Sequence, residues 1–135
     1  IGKGLTARDG KDITVFTYGN LVSQAMEAAK ILEEEKIDVR IIDMFTIKPL
    51  DTEIVQKAVE ETGRIVVLED HLMTGGLASS IADFFADTGT YPKAFRRMGI
   101  PQVYAGFGSD TELRKKYGYD TGATVSVIKS MVSGK

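Results

Sequence analysis

The chain has 135 residues, 43% of them hydrophobic and 27% charged, with a formal net charge of −2. That length suits one compact domain with a real core, and the interspersed charges give no electrostatic reason to expect nucleic acid or an anionic membrane as partner. No apolar run approaches the ~20 residues that span a bilayer, and the absence of cysteine excludes disulfides and thiolate metal sites and makes the cytoplasm the expected compartment.

The chain opens on Ile1 without a methionine and closes on Ser133-Gly134-Lys135, as a piece cut from a longer polypeptide would; residues 1–135 are expected to form one domain of such a chain. The opening Gly2–Asp12 stretch is expected to add a short edge strand, with Asp9-Gly10 as a hairpin turn. Ile13–Tyr18 is rich in β-branched and aromatic residues and reads as a strand stopped by Gly19. Leu21, Val22, Ala25, Met26, Ala29 and Leu32 then fall at helical spacing, with Glu33–Lys36 on the way out. Val39–Phe45 is the next strand. Pro49 breaks it, and Asp51 is a good N-cap for a helix buried through Ile54, Val55, Ala58 and Val59.

Arg64–Glu69 follows Gly63 as a strand whose unbroken apolar centre suits a sheet covered on both faces. A helix begins near Gly76 with Leu77, Ile81, Phe84 and Phe85 inward. Ala94–Ile100 is a weaker strand closed by Pro101. Ser109 and Glu112 have capping-box spacing and open a short helix ending at Gly118. A last helix, about Thr121 to Val132, turns Val125, Ile128 and Val132 inward. Strands alternating with helices predict parallel strands joined by right-handed crossovers, and ligands in such sheets gather at the carboxyl ends of the strands.

Those ends hold Gly19-Asn20, Asp43-Met44-Phe45, Glu69-Asp70-His71 and Gly99-Ile100. His71, the chain's one histidine, has the chemistry of a general acid or base, with Asp70 or Glu69 to orient it; the more ordinary reading is a residue that orders a loop or meets a neighbouring domain. Gly75-Gly76 could present backbone amides to a phosphate at a helix start, or simply let that helix approach the sheet. Arg96 and Arg97 have the fork that phosphate favours, but adjacent strand residues point to opposite faces, so at most one serves a given site. Asp43, in an otherwise apolar strand, is expected to face a partner at the end of the sheet. No dinucleotide fingerprint follows a strand, and no phosphate-loop, zinc-protease or hydrolase-elbow motif occurs. The residues alone give a parallel α/β domain and no named reaction.

Thr46–Asp51 (TIKPLD) and Leu68–Phe85 (LEDHLMTGGLASSIADFF) resemble the C-terminal domain of transketolases and their thiamine-diphosphate relatives. Gly10–Met44 and Phe107–Asp120 (FGSDTELRKKYGYD) continue the likeness in the right order over nearly the whole chain. Lys48-Pro49-Leu50-Asp51 and the Gly-Gly helix start are shared with 1-deoxyxylulose-5-phosphate synthases and with beta subunits of 2-oxoacid dehydrogenases. His71 after Glu69-Asp70, and Tyr117-Gly118-Tyr119-Asp120, favour transketolase, as the C-terminal part of a transketolase or split-transketolase subunit. Gly99-Ile100-Pro101 is similar to the synthase, and Tyr119 stands where transketolases usually carry leucine.

The resemblance implies a three-layer α/β/α sandwich with a mostly parallel five-stranded sheet and one antiparallel strand, the first, in place of a hairpin at Asp9-Gly10. It implies a whole enzyme that transfers a two-carbon ketol unit between sugar phosphates, using thiamine diphosphate and a divalent cation. The preceding pyrimidine- and diphosphate-binding domains, or a partner N-terminal subunit, hold that cofactor, in a homodimer or heterotetramer. The G-D-G metal motif and the cofactor-activating glutamate are absent here, so the resemblance assigns no catalytic, cofactor or metal residue to this chain. Its role is then assembly, with Asp70, His71, Gly75, Gly76 and Arg96 as candidate interface residues or contacts for a regulator. The alternatives are the C-terminal domain of a 1-deoxyxylulose-5-phosphate synthase and a dehydrogenase beta-subunit domain that docks another protein.

Overall fold

Ile13–Thr17 (β2) is buried at every position, because it runs through the centre of the sheet with parallel neighbours on both sides. The structure, a computed structural model, describes residues 2–45, 48–72, 76–100, 114–116 and 118–134, with 71, 72, 100 and 134 described by their backbone alone. The elements run β1 (Leu5–Arg8), β2, α1 (Leu21–Glu33), β3 (Val39–Asp43), α2 (Thr52–Glu61), β4 (Arg64–Leu72), α3 (Leu77–Thr88), β5 (Ala94–Ile100) and α4 (Thr121–Gly134). The five strands lie in the order β1-β3-β2-β4-β5; β1 is antiparallel to β3 and the other pairs are parallel.

Strand alternation divides the core in two. Ile13, Val15, Val39, Ile41, Val66 and Leu68 pack beneath α1 and α4, with Ala25, Ala29, Leu32 and Ile128. Phe16, Ile42, Ile65 and Val67 face the other way, onto Val55 and Ala58 of α2 and Leu77, Ile81 and Phe85 of α3. Buried threonines stitch the centre: Thr14 Oγ1 lies 2.8 Å from Thr62 Oγ1, and Thr17 Oγ1 donates to Leu68 O at 2.8 Å. Neither leaves an unpaired hydroxyl in the low-dielectric interior.

The helix ends follow local rules. Asp51 Oδ1 accepts from Ile54 N at 3.2 Å to cap α2, as its sequence position predicts. Its Oδ2 accepts from Gly4 N at 2.8 Å, tying the N-terminal segment to the same corner. α1 closes with paired bonds, Ile37 N to Leu32 O at 3.0 Å and Lys36 N to Glu33 O at 2.9 Å. Lys36 carries the left-handed conformation (φ 64°) usually given to glycine there. α3 ends on Gly89 at φ 72°, the usual choice.

The hairpin expected at Asp9-Gly10 does not form, because β2 already has β3 and β4 as partners. The chain instead crosses the start of β3: Arg40 Nε donates to Asp9 Oδ1 at 3.0 Å and to Gly10 O at 3.1 Å. Arg8 Nη1 reaches Val39 O at 2.7 Å. The buried Arg40, closed on its far side by Glu61 at 2.7 Å, holds the crossing that delivers β1 to the outer edge of β3. β4 runs three residues beyond the expected Glu69 end, to Leu72. The capping box at Ser109 and Glu112 lies outside the described residues; residues 114–116 are helical.

Candidate functional site

Three successive residues at the carboxyl end of β4 carry the chain's most concentrated chemistry. Glu69 and Asp70 leave the strand toward opposite layers, as period-two alternation requires. Glu69 is fully buried. It spans the start of α3, accepting from Leu77 N at 2.8 Å through Oε1 and from Ala78 N at 2.9 Å through Oε2. Tyr18 Oη donates to Oε1 at 3.3 Å. Burial and the adjacent Glu69 carboxylate push the Tyr18 phenol well above its ordinary pKa of 10.0. Gly76 is required by this arrangement for space, since its φ of −98° is open to any residue. A β-carbon there would collide with Glu69 Oε1.

Asp70 turns to the α1/α4 layer and pairs with Arg114, Nε to Oδ1 at 3.4 Å and Nη2 to Oδ2 at 3.3 Å. Arg114 Nη1 continues to Gln24 Oε1 at 3.3 Å, and Gln24 Nε2 donates to Tyr119 O at 2.6 Å. A cleft of about 420 Å³ opens beside this chain of bonds, lined by Asn20, Ser23, Gln24, Glu27, Arg114, Asp120, Thr121 and Gly122. Among the described residues its walls offer hydroxyls, amides and two carboxylates against one guanidinium, which is already paired.

The sequence candidates are therefore dispersed. Glu69 belongs to α3 and Asp70 to Arg114. The backbone of His71 lies in β4, its side chain outside the described residues, and Gly75 lies outside them altogether. At Gly76 the anion on the helix amides is the chain's own Glu69. Arg96 is exposed on edge strand β5, and its register with Val66 places it on the α1/α4 face, while Arg97, paired with Val67, takes the α2/α3 face. Arg114 and Gln24 were not legible as site residues. Their pairing spans 90 positions of sequence and has no local pattern.

Among the described residues no group of three His, Asp or Glu side chains could hold a metal ion, and none of their helices is long and apolar enough to cross a membrane. At the α3 start the amides of Leu77 and Ala78, which could face an anion, are already satisfied by Glu69.

The mixed five-stranded sheet, with its antiparallel edge strand and helices on both faces, defines an α/β/α domain. Residues 2–123 match the family "Transketolase, C-terminal domain", and the chain belongs to that family. It is 38% identical over 131 residues to 1-deoxy-D-xylulose-5-phosphate synthase of Heliobacterium modesticaldum, covering 97% of this chain and 20% of that protein. It is also 38% identical over 120 residues to one subunit of the apulose-4-phosphate transketolase of Phocaeicola vulgatus, covering 89% of this chain and 38% of that polypeptide. A solved split-gene transketolase, an inactive beta4 tetramer, superposes with a TM-score of 0.87 at 32% identity, over 98% of this chain and 43% of that one. The chain thus spans well under half the length of each of these relatives.

Proposed function

We propose that this chain is the non-catalytic C-terminal domain of a thiamine-diphosphate-dependent transketolase, whose other domains or partner polypeptide hold the cofactor and its divalent cation. What supports this reading is that the two carboxylates at the end of β4 are spent on structure. Glu69 fastens α3 on one face and Asp70 fastens the 114–119 segment on the other. A catalytic corner would leave at least one of them free to exchange a proton with a substrate. The domain's work is then to hold a fixed surface against its neighbours, with Asp70, His71, Gly75, Gly76 and Arg96 at or near that surface.

The test is ketol transfer between sugar phosphates with thiamine diphosphate and magnesium, by the chain alone and by the complete enzyme. Turnover is expected only from the complete enzyme, and turnover by the 135-residue chain overturns the proposal. The second reading, a 1-deoxyxylulose-5-phosphate synthase domain, is favoured by the 97% coverage at 38% identity with such a synthase. Supplying the complete enzyme with pyruvate and glyceraldehyde 3-phosphate separates the two: carbon dioxide release marks the synthase, and ketol transfer without it marks the transketolase.

A further inference from the structure

Asp51 makes one bond that a helix cap does not need. Its Oδ1 accepts from Ile54 N at 3.2 Å, the ordinary cap of α2, and its Oδ2 accepts at 2.8 Å from Gly4 N, 47 positions earlier in the chain. Asp51 is buried, so both bonds are shielded from water and neither oxygen is left without a donor. Asp43, at the end of β3, by contrast keeps one enclosed oxygen, Oδ1, that meets no donor.

The segment that Asp51 holds, residues 2–4, follows a tight path. Gly2 has a φ of 74°, which favours glycine, and a β-carbon there would stand 3.1 Å from Pro49 Cγ. At Gly4 a β-carbon would come within 2.7 Å of Met44 Sδ and 3.2 Å of Ile42 Cγ2, and both of those side chains are buried. Between the two glycines, Lys3 Nζ lies 3.4 Å from Glu53 Oε1, an exposed pair that contributes little by itself. A loose linker needs neither two glycines fitted to different neighbours nor a buried carboxylate on its backbone.

We propose that Asp51 straps residues 2–4 onto the corner between β3 and α2, so that the polypeptide preceding this domain joins it at a fixed angle instead of through a flexible linker. This rests on the reading of the chain as the C-terminal domain of a larger enzyme. Asp51 is then a positioning residue, which sets where the preceding domains stand against this one.

Asparagine caps a helix as well as aspartate, but its side chain has one acceptor oxygen in place of two. Asp51→Asn therefore keeps the local bond to Ile54 and loses the distant bond to Gly4. In the complete enzyme, amide exchange read by mass spectrometry over residues 2–6 should quicken at least about tenfold, as loss of a hydrogen bond to a charged group implies. Residues 52–61 should change by less than about twofold. Trypsin gives an independent reading, because Lys3 lies within the strap: cleavage after it, yielding a product that begins at Gly4, should accelerate by a similar factor. Gly4→Ala pushes the strap off from the other side and should accelerate both, with little added in the double variant. Unchanged exchange and cleavage in both variants refute the strap and leave the larger-enzyme reading, tested by turnover, intact. Loosening of residues 52–61 as great as that of residues 2–6 refutes it too, since Asp51 would then act as a cap alone. Fully additive effects of the two substitutions refute the pairing of Asp51 with Gly4 as their shared cause.

Discussion

Replacing Gly76 with alanine isolates the physical reason for the second glycine of the Gly-Gly pair. The backbone at Gly76 has a negative φ, so alanine suffers no dihedral penalty there; the whole cost comes from the β-carbon meeting Glu69 Oε1. The carboxylate must withdraw while remaining buried, loosening its bonds to Leu77 N and Ala78 N at 2.8 and 2.9 Å. One hydrogen bond to a charged group contributes about 1.5–3 kcal/mol, and a carboxylate at a helix N-terminus adds about 0.3–1 kcal/mol. Against this, the smaller unfolded-state entropy of alanine offsets about 0.5 kcal/mol. Gly76→Ala is therefore expected to cost about 2–3 kcal/mol, measured by urea unfolding followed by circular dichroism. With Glu69→Ala as background the collision disappears, and the same substitution should change stability by less than about 0.5 kcal/mol. An equal cost in both backgrounds would refute the claim that Glu69 is why this position is glycine.

Other positions give sharper single readings. Lys36→Gly relieves a left-handed conformation in a residue with a β-carbon, and should raise stability by up to about 1 kcal/mol; a fall in the unfolding midpoint would contradict it. The Tyr18 phenol has its pKa raised by burial and by Glu69, so its contribution is fully present below the unfolded pKa of about 10 and is lost as pH rises toward its folded value. The wild-type chain should lose stability above about pH 10 more steeply than Tyr18→Phe, read as thermal midpoints across that range. Burial raises the Asp43 pKa above 3.8, so its carboxyl favours the fold below that value and opposes it as pH rises through the folded pKa. Asp43→Asn should raise the midpoint of the isolated chain at pH 7, and this gain should fade as the medium is acidified toward about pH 4.

The elements were legible because apolar spacing, caps and glycine stops agree with one another along most of the chain. The inward stripe of α1, the Asp51 cap and the β4 centre each follow from residues within one or two turns. The path of β1 did not follow from its residues, because Asp9-Gly10 satisfies hairpin chemistry while the pairing is decided by Arg40, some thirty residues away, and by the occupied flanks of β2. The resemblance supplied the antiparallel first strand that local rules missed. At the site, the strand alternation that parts Arg96 from Arg97 also parts Glu69 from Asp70, with the larger consequence. Two adjacent acids look like one site in sequence, yet the strand sends them to different layers. Arg114 was invisible because an ion pair across 44 positions leaves no periodic trace.

The two hydrophobic clusters share no side chain, since the sheet lies between them. A larger residue at Ala29 must be absorbed within the α1/α4 cluster, and one at Ala58 within the α2/α3 cluster; the sheet stands between them. Mutational drift on the α2/α3 flank is thereby insulated from the flank that carries the cleft. A lineage can remodel one side of this domain for a new neighbour and inherit the other side unaltered.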